Sequence, residues 1–285
     1  MSYGKTYWYL FYRFAISQAG YRHIDCALIY GNEKEVGKAI NDVIDEGIVT
    51  RDELFVTSKL WHTFHSRQRV LEGCRKSLSD LGLSYLDLFL IHAPFACRED
   101  EDLWTTEESD IDYLETWRGM EDCVELGLCK SIGLSNFNWD QTLRVLNECK
   151  VKPVTNQVEC HPYFNQSQLI EMCAKYGIIV TAYSPFGSPC RPWAKKKDFS
   201  ILDDQLLTQI SERHNKSAAQ VILRFNIDRK IVCVPKSATR THILSNIEVF
   251  DFKLSEEEIK SISELDKNWR IFLFNPYSNH KYYPF

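Results

Sequence analysis

Residues 86–93 read Leu86-Asp-Leu-Phe-Leu-Ile-His-Ala93, and this stretch decides the fold. Its apolar run shows little alternation, which is typical of a parallel strand that is covered on both faces. Amphipathic helix patterns lie on either side, at residues 67–81 and 113–126. A buried strand between two amphipathic helices predicts an α/β protein built on a parallel sheet.

The same alternation continues along the chain in both directions. Seven short β-rich runs are each followed by a helix pattern: residues 22–26, 54–58, 86–91, 131–134, 154–158, 178–183 and 231–234. Further helices are predicted at residues 33–45 and 218–225, and after Ser255, which forms a capping box with Glu258. Because the composition does not change along the chain, residues 1–285 are predicted to form a single domain.

Two parallel architectures remain, a doubly wound sheet and a closed (β/α)8 TIM barrel. The Gly-x-Gly-x-x-Gly fingerprint is absent after the first run, which favours the barrel. A closed barrel has eight strands, whereas the sequence offers seven. Since the chain enters the first run from an apparent helix end at residues 14–19, the first strand is predicted to be missing. The sequence leaves open whether residues 7–12, in a divergent segment 1–14, replace it, and whether Met1 is the natural start.

Composition excludes several classes of protein. The chain has 285 residues, 44% hydrophobic and 26% charged, with a net charge of -5, which argues against a nucleic-acid surface. No apolar stretch approaches the roughly 20 residues of a membrane span. Ten cysteines without a Cys-x-x-Cys spacing favour reduced thiols and a cytosolic location. We expect a monomer with no bound metal.

Four chemically active residues lie at or just beyond the ends of the first three runs: Asp25, Tyr30, Lys59 and His92. In a parallel barrel these strand ends face one cavity. Taken singly, each has an ordinary structural explanation: a loop cap, a solvated lysine or a histidine within the core. Their joint placement after successive strands favours a shared site.

The four side chains suit proton transfer. A free phenol has a pKa near 10, and a cation within about 4 to 6 Å lowers it, so Lys59 is predicted to make Tyr30 a stronger acid. Asp25 would keep the buried ammonium charged, and His92 would donate a hydrogen bond to a carbonyl oxygen.

Several segments carry a family resemblance. They are Gly20-Tyr-Arg-His-Ile-Asp25, Tyr30-Gly-Asn-Glu33, Lys59-Leu-Trp61, Gly133-Leu-Ser-Asn-Phe137, Asn156-Gln-Val-Glu-Cys-His-Pro162, Ala182-Tyr-Ser-Pro-Phe-Gly187 and Val234-Pro-Lys-Ser237. In this order, from about residue 15 to residue 285, they resemble the aldo-keto reductases, and within them the aldose-reductase type.

The resemblance implies a (β/α)8 barrel that binds NADPH and reduces aldehydes or ketones, its partners being small carbonyl compounds. It implies that Tyr30 is the proton donor, that Lys59 and Asp25 lower its pKa, and that His92 and Trp61 contact the substrate. A truncated, catalytically impaired or non-enzymatic barrel remains the alternative, because the first strand is predicted to be missing.

The resemblance also implies cofactor contacts. The carboxamide would be bound by Ser135, Asn136 and Gln157, and the nicotinamide ring would stack on Tyr183. The pyrophosphate would contact the loop containing Ser184, Phe186 and Ser188, and the adenosine end Lys236, Ser237, His242 and Asn246.

Two departures from the family, and the tail of the chain, affect specificity. His242 stands where relatives that prefer NADPH have an arginine, so discrimination for the 2′-phosphate should be weaker. Ala93 replaces a tryptophan after His92 and reshapes the substrate pocket. The aromatic tail, residues 268–285, is predicted to cover the active site together with Trp61.

Overall fold

Helices and strands alternate along the chain in the computed structural model, which describes residues 5–100, 102–195 and 198–285. The helices are α1 Lys5–Ser17, α2 Glu33–Asp45, α3 Arg67–Leu81, α4 Tyr113–Glu125, α5 Trp139–Glu148, α6 Ser167–Lys175, α7 Gln205–His214, α8 Ala218–Asp228, α9 Arg240–Ile247 and α10 Glu256–Ser263. The strands are β1 His23–Asp25, β2 Phe55–Leu60, β3 Leu86–Ile91, β4 Ala96–Cys97, β5 Glu108–Ser109, β6 Cys129–Ser135, β7 Thr155–Glu159, β8 Ile179–Tyr183 and β9 Val232–Val234.

The periodicity located these elements well. All seven predicted β-rich runs are strands, and β3, α2 and α3 have the predicted bounds. Ser255 caps α10, where its hydroxyl accepts the Glu258 N–H and the Glu258 carboxylate accepts the Ser255 N–H. Helices α5, α6, α7 and α9 follow β6, β7, β8 and β9, where helix patterns were expected but no bounds were predicted.

The chain forms two compact units. The first unit contains the described residues up to Asn156 together with Leu273–Phe285, and the second contains Gln157–Phe272. In the first unit, β1, β2, β3 and β6 pair in parallel in that order, and the short β4 and β5 pair antiparallel. In the second unit, β8 pairs in parallel with β9.

The core of the first unit is formed by the buried residues of its strands and helices. Every residue of β3 is buried, as expected for a strand that is covered on both faces. Helix α2 buries Val36, Ile40 and Val43, which lie on one side of the helix at spacings of three and four residues. These side chains belong to one apolar cluster with residues of β3 such as Phe89.

The close contact between α2 and α3 leads to a first prediction. A Cβ atom at Gly37 would lie 2.2 Å from the carbonyl oxygen of Leu81, so Gly37→Ala must displace backbone. We expect the free energy of unfolding in urea to fall by about 1–3 kcal/mol, despite a helix-propensity gain of about 1 kcal/mol. Lys34→Ala, at an exposed position of α2, should change it by less than about 0.5 kcal/mol. Equal stability of Gly37→Ala and wild type would contradict this account.

The helix end expected at residues 14–19 belongs to a longer helix, which ends at Ser17. One helix, α1, runs from Lys5 to Ser17, and among the described residues no strand precedes β1. Tyr9 donates a hydrogen bond to Asp42 at 2.7 Å, and Arg13 forms an ion pair with Glu46 at 2.7 Å. Ile16 is buried in the core of the first unit. The segment is therefore a packed helix, because its apolar side chains lie at helical rather than strand spacing.

The second unit has a core of its own. Residues from α7, α8 and α10 form it together with Tyr163 and Ile201, and its central members are Leu207, Ile210, Val221, Ile222 and Phe225. Among the helices that the structure describes, none is both long enough and apolar enough to cross a membrane.

Candidate active site

The first unit brings the four predicted side chains together. The Lys59 ammonium donates hydrogen bonds to Asp25 Oδ1 and, at 2.8 Å, to the carbonyl oxygen of Cys26. Its nitrogen lies 5.2 Å from the ring centre of Tyr30. The ring centres of Tyr30 and His92 are 5.9 Å apart. A phenol, an ammonium, a carboxylate and an imidazole therefore share one site, as required for the proposed proton transfer.

Lys59 is fully buried at the end of β2. Burial works to lower its pKa, but the opposing charge of Asp25 and the oxygen of Tyr30 outweigh it, so that the pKa is raised. Lys59 thus remains a cation throughout the neutral range. A buried ion pair of this kind is stable only while both partners are present.

The pKa of Tyr30 departs from the expectation. Burial of its hydroxyl raises the pKa, and this outweighs the lowering by the charge and hydrogen bond of Lys59. The residue as a whole is half-exposed, with 49% of its surface accessible. The predicted lowering by Lys59 is present, but burial outweighs it, and the charge of Asp25 raises the pKa of Tyr30 instead of lowering it. Sequence spacing gives the cation but not the burial. Tyr30 is a fully protonated acid at neutral pH.

His92 is a neutral imidazole. Burial lowers its pKa well below the ordinary value, and the charges of Lys59 and His65 act in the same direction. Its carbonyl oxygen accepts a hydrogen bond from Asn136 at 2.8 Å. A neutral ring next to Tyr30 suits hydrogen-bond donation to a carbonyl oxygen.

Trp61 is fixed by its neighbours. Its indole N–H donates to the carbonyl oxygen of Leu103, and its ring stacks on His62 with centres 3.8 Å apart. The ring centre of His92 lies 5.3 Å away. Trp61 therefore presents a rigid apolar surface beside the predicted acid–base residues.

Two buried histidines near this site were not predicted. His62 and His65 are 0% exposed, and within the described part of the chain neither ring nitrogen of either has a hydrogen-bond partner. Burial lowers the pKa of both, that of His65 to about 3. The sequence signal was two histidines three positions apart, shortly after the predicted strand at residues 54–58. No group of three or more His, Cys, Asp and Glu side chains among the described residues could hold a metal ion.

The last thirteen residues, Leu273–Phe285, pack beside these histidines. The Tyr277 ring stacks on Phe95 with centres 4.6 Å apart and meets His62 edge-on at 5.4 Å. His280 contacts the carbonyl oxygen of Ser109 at 3.0 Å. This part of the predicted tail thus closes one side of the first unit near His92.

Two of the predicted cofactor residues lie in the first unit. Ser135 ends β6 and Asn136 follows it, and both are buried. Asn136 adopts a φ of 60°, a left-handed conformation that asparagine tolerates. Its amide also contacts Ser135 Oγ at 3.1 Å. Both side chains are therefore held next to His92.

The other predicted cofactor residues lie in the second unit. Gln157 is buried on β7, Tyr183 ends β8, and Phe186 packs against the apolar core. Ser184 and Ser188 have φ values of 50° and 45°, and their hydroxyl oxygens are 2.8 Å apart. A turn with left-handed residues can direct several N–H groups at an anion, as a pyrophosphate requires.

A buried carboxylate next to this loop was also missed. Glu159, at the end of β7, accepts hydrogen bonds from the N–H groups of Ile271 and Phe272 at 2.8 and 2.9 Å. The Phe272 ring meets Tyr183 edge-on at 5.5 Å. Glu159 thus fixes the backbone of Phe272, and the Phe272 ring packs against Tyr183, the residue predicted to stack on the nicotinamide.

The predicted adenosine site follows β9. Lys236 is exposed, and Ser237 accepts a hydrogen bond from the N–H of Thr239 at 3.1 Å. His242 and Asn246 lie four residues apart on α9, and so on the same face. One exposed cation and one exposed imidazole fit a phosphate group, so the residues present fit an anionic dinucleotide.

Comparisons with known proteins establish the family. Residues 6–267 match the Aldo/keto reductase family, and the chain belongs to that family. It is 49% identical over 266 residues to aldo-keto reductase family 1 member A1-A of Danio rerio, covering 91% of this chain and 82% of the relative. It is 45% identical to member A1 of Homo sapiens, covering 90% and 81%. It is 43% identical to member D1 of Mus musculus, covering 99% and 89%.

A solved structure shows the same architecture. The crystal structure of a Bombyx mori aldo-keto reductase in complex with NADP matches with a TM-score of 0.94 and 41% identity, covering 100% of this chain and 91% of that one. The predicted family and the (β/α)8 barrel class are confirmed. The protein is an NADPH-dependent oxidoreductase acting on carbonyl compounds.

Proposed function

We propose that the protein reduces aldehydes and ketones to alcohols in the manner of aldose reductase, with Tyr30 as the proton donor. The observation that carries this proposal is the buried Lys59, which is hydrogen-bonded to Asp25 and lies 5.2 Å from the ring of Tyr30. A buried ammonium next to a phenol stabilises the phenolate that forms as the proton leaves.

Each residue has a separate role in the proposed reaction. NADPH, when bound, supplies the hydride. His92 donates a hydrogen bond to the carbonyl oxygen and orients it towards Tyr30, which gives up its proton as the alkoxide forms. Lys59 remains charged because of Asp25 and stabilises the phenolate. Trp61 limits the space for the substrate and excludes water.

The cofactor contacts are proposed residue by residue. Ser135, Asn136 and Gln157 suit the carboxamide because amides and hydroxyls both donate and accept. Tyr183 would stack on the nicotinamide ring, and the loop with Ser184, Phe186 and Ser188 would bind the pyrophosphate. Lys236, Ser237, His242 and Asn246 would contact the adenosine end. Since an imidazole has fewer N–H donors than a guanidinium and cannot bind a phosphate in the same bidentate way, we expect a modest preference for NADPH over NADH.

The direct test is an assay of NADPH oxidation with a simple aromatic aldehyde. We expect steady turnover that requires both compounds, and slower but measurable turnover with NADH. An impaired or non-enzymatic barrel predicts the opposite, namely a cooperatively folded protein that binds NADPH without oxidising it. That result would refute the proposed reaction. We further propose that the protein is a monomer and that it is cytosolic, and the proposed location rests on its free cysteines.

A further inference from the structure

Glu33 is a buried carboxylate three residues beyond Tyr30. It is the first residue of α2 and is 3% exposed. Its Oε1 accepts a hydrogen bond from the Ser58 hydroxyl at 2.5 Å, and its Oε2 accepts one from the Ser77 hydroxyl at 3.1 Å. Both serines are fully buried, so solvent does not weaken these bonds.

The partners of Glu33 give these bonds a consequence for the active site. Ser58 immediately precedes Lys59 in β2, whereas Ser77 lies on α3. The Ser58 bond therefore joins the strand that carries the ammonium to the end of the segment that carries the phenol. The Ser77 bond joins the same carboxylate to a neighbouring helix.

The segment between β1 and α2 is short and is held at both ends. At its start the N–H of Cys26 donates to the carbonyl oxygen of Thr57 in β2 at 2.8 Å. Tyr30 then ends a single helical turn, and Gly31 follows with a φ of 64°. At its end Glu33 bonds to Ser58. Tyr30 thus lies between two attachments to the strand that carries Lys59.

A buried carboxylate at this place is costly. Burial raises the pKa of Glu33, and the two serine hydroxyls oppose the rise. The N-terminus of α2 also favours a negative charge. An apolar side chain would fill the same volume without the desolvation penalty, but it would not restrain the segment in a defined direction.

We propose that Glu33 is a positioning residue that sets the separation between the Tyr30 hydroxyl and the Lys59 ammonium through its hydrogen bond to Ser58. This rests on the proposed function of Tyr30 as the proton donor. If the bond is lost, Tyr30 moves relative to Lys59, and the cation stabilises the phenolate less. A misplacement of about 1 Å in an active site costs on the order of 100-fold in rate.

Ser58→Ala and Ser77→Ala form a matched pair, because each removes one hydroxyl from the same carboxylate. We expect Ser58→Ala to lower kcat about 10- to 100-fold with KM within about twofold of wild type. The two variants should lower the free energy of unfolding by similar amounts. Ser77→Ala, however, should leave kcat within about twofold of wild type. Glu33→Gln, which retains an acceptor oxygen, should keep more of kcat than Glu33→Ala.

The ionisation of Tyr30 gives a second measurement, which does not depend on turnover. Because Lys59 lowers the pKa of Tyr30, a larger separation should raise it further. The ultraviolet difference titration of each protein against its Tyr30→Phe counterpart should therefore move to higher pH in Ser58→Ala but not in Ser77→Ala. Equal effects of the two serine variants on kcat and on this titration would overturn the positioning role. Failure of the proposed reaction would show separately, as absent turnover in wild type.

Discussion

Tyr30→Phe is expected to lower kcat for aldehyde reduction by about 10²- to 10⁴-fold, the usual contribution of a general acid. Phenylalanine keeps the ring beside His92 but removes the proton that Tyr30 would deliver. Tyr30 is not among the predicted cofactor contacts, so the affinity for NADPH, measured by quenching of tryptophan fluorescence, should change little. The loss corresponds to about 3–5 kcal/mol of transition-state stabilisation.

The pH dependence and a control complete this test. Since the pKa of Tyr30 is raised, wild-type kcat should not decline through loss of this proton until the pH exceeds about 10. Tyr85→Phe removes a surface hydroxyl that donates to Asp52 at 2.9 Å and should leave kcat unchanged. A Tyr30→Phe variant that retains kcat within about tenfold would rule out Tyr30 as the proton donor.

The second large effect is a loss of stability in mild acid. In the folded state the pKa values of His62, His65 and His92 are lowered, mainly by burial, whereas in the unfolded chain each takes up a proton near pH 6.5. The unfolded state therefore binds more protons below pH 6.5, and the free energy of unfolding decreases as the pH decreases. The contribution is fully present above about pH 7 and is lost as the pH falls below about 6.5.

The loss in free energy of unfolding should be large for so small a change in pH. Three such groups together lose about 4 kcal/mol between pH 7.5 and 5.5, against a typical total of about 5–15 kcal/mol. Urea unfolding at several pH values between 7.5 and 5.5 measures the slope of the free energy of unfolding against pH. Most carboxylates titrate below this range. Lys59 further disfavours the protonation of His92, and His280 further disfavours that of His62 and His65.

His62→Phe provides the discriminating variant. The new ring can keep the contacts of His62 with Trp61 and Phe95, whose ring centre lies 4.5 Å away. Without a titratable group there, the free energy of unfolding should lose about 1.4 kcal/mol less between pH 7.5 and 5.5. His242→Gln, at an exposed position, should leave the slope unchanged. Identical slopes in wild type and His62→Phe would show that His62 is not held neutral by the fold.

The arrangement of the candidate site followed from local sequence only in part. The ends of β1, β2 and β3 could be predicted from apolar runs, and these ends place Asp25, Lys59 and His92 because parallel strands present their carboxyl ends at one edge. Glu33 could not be recognised as part of the site, since its partners Ser58 and Ser77 are 25 and 44 residues away. Contacts at that separation depend on how α2, α3 and β2 pack.

By itself, the sequence determined the alternation of strand and helix, the family, the cofactor and the four candidate acid–base side chains. These depend on hydrophobic periodicity and on residue type, which are local properties. Only the tertiary structure decided that α1 is one packed helix, that burial outweighs Lys59 in setting the pKa of Tyr30, and that three histidines are held neutral. The physical reason is that desolvation depends on every group that surrounds an atom, and residues distant in sequence supply most of those groups.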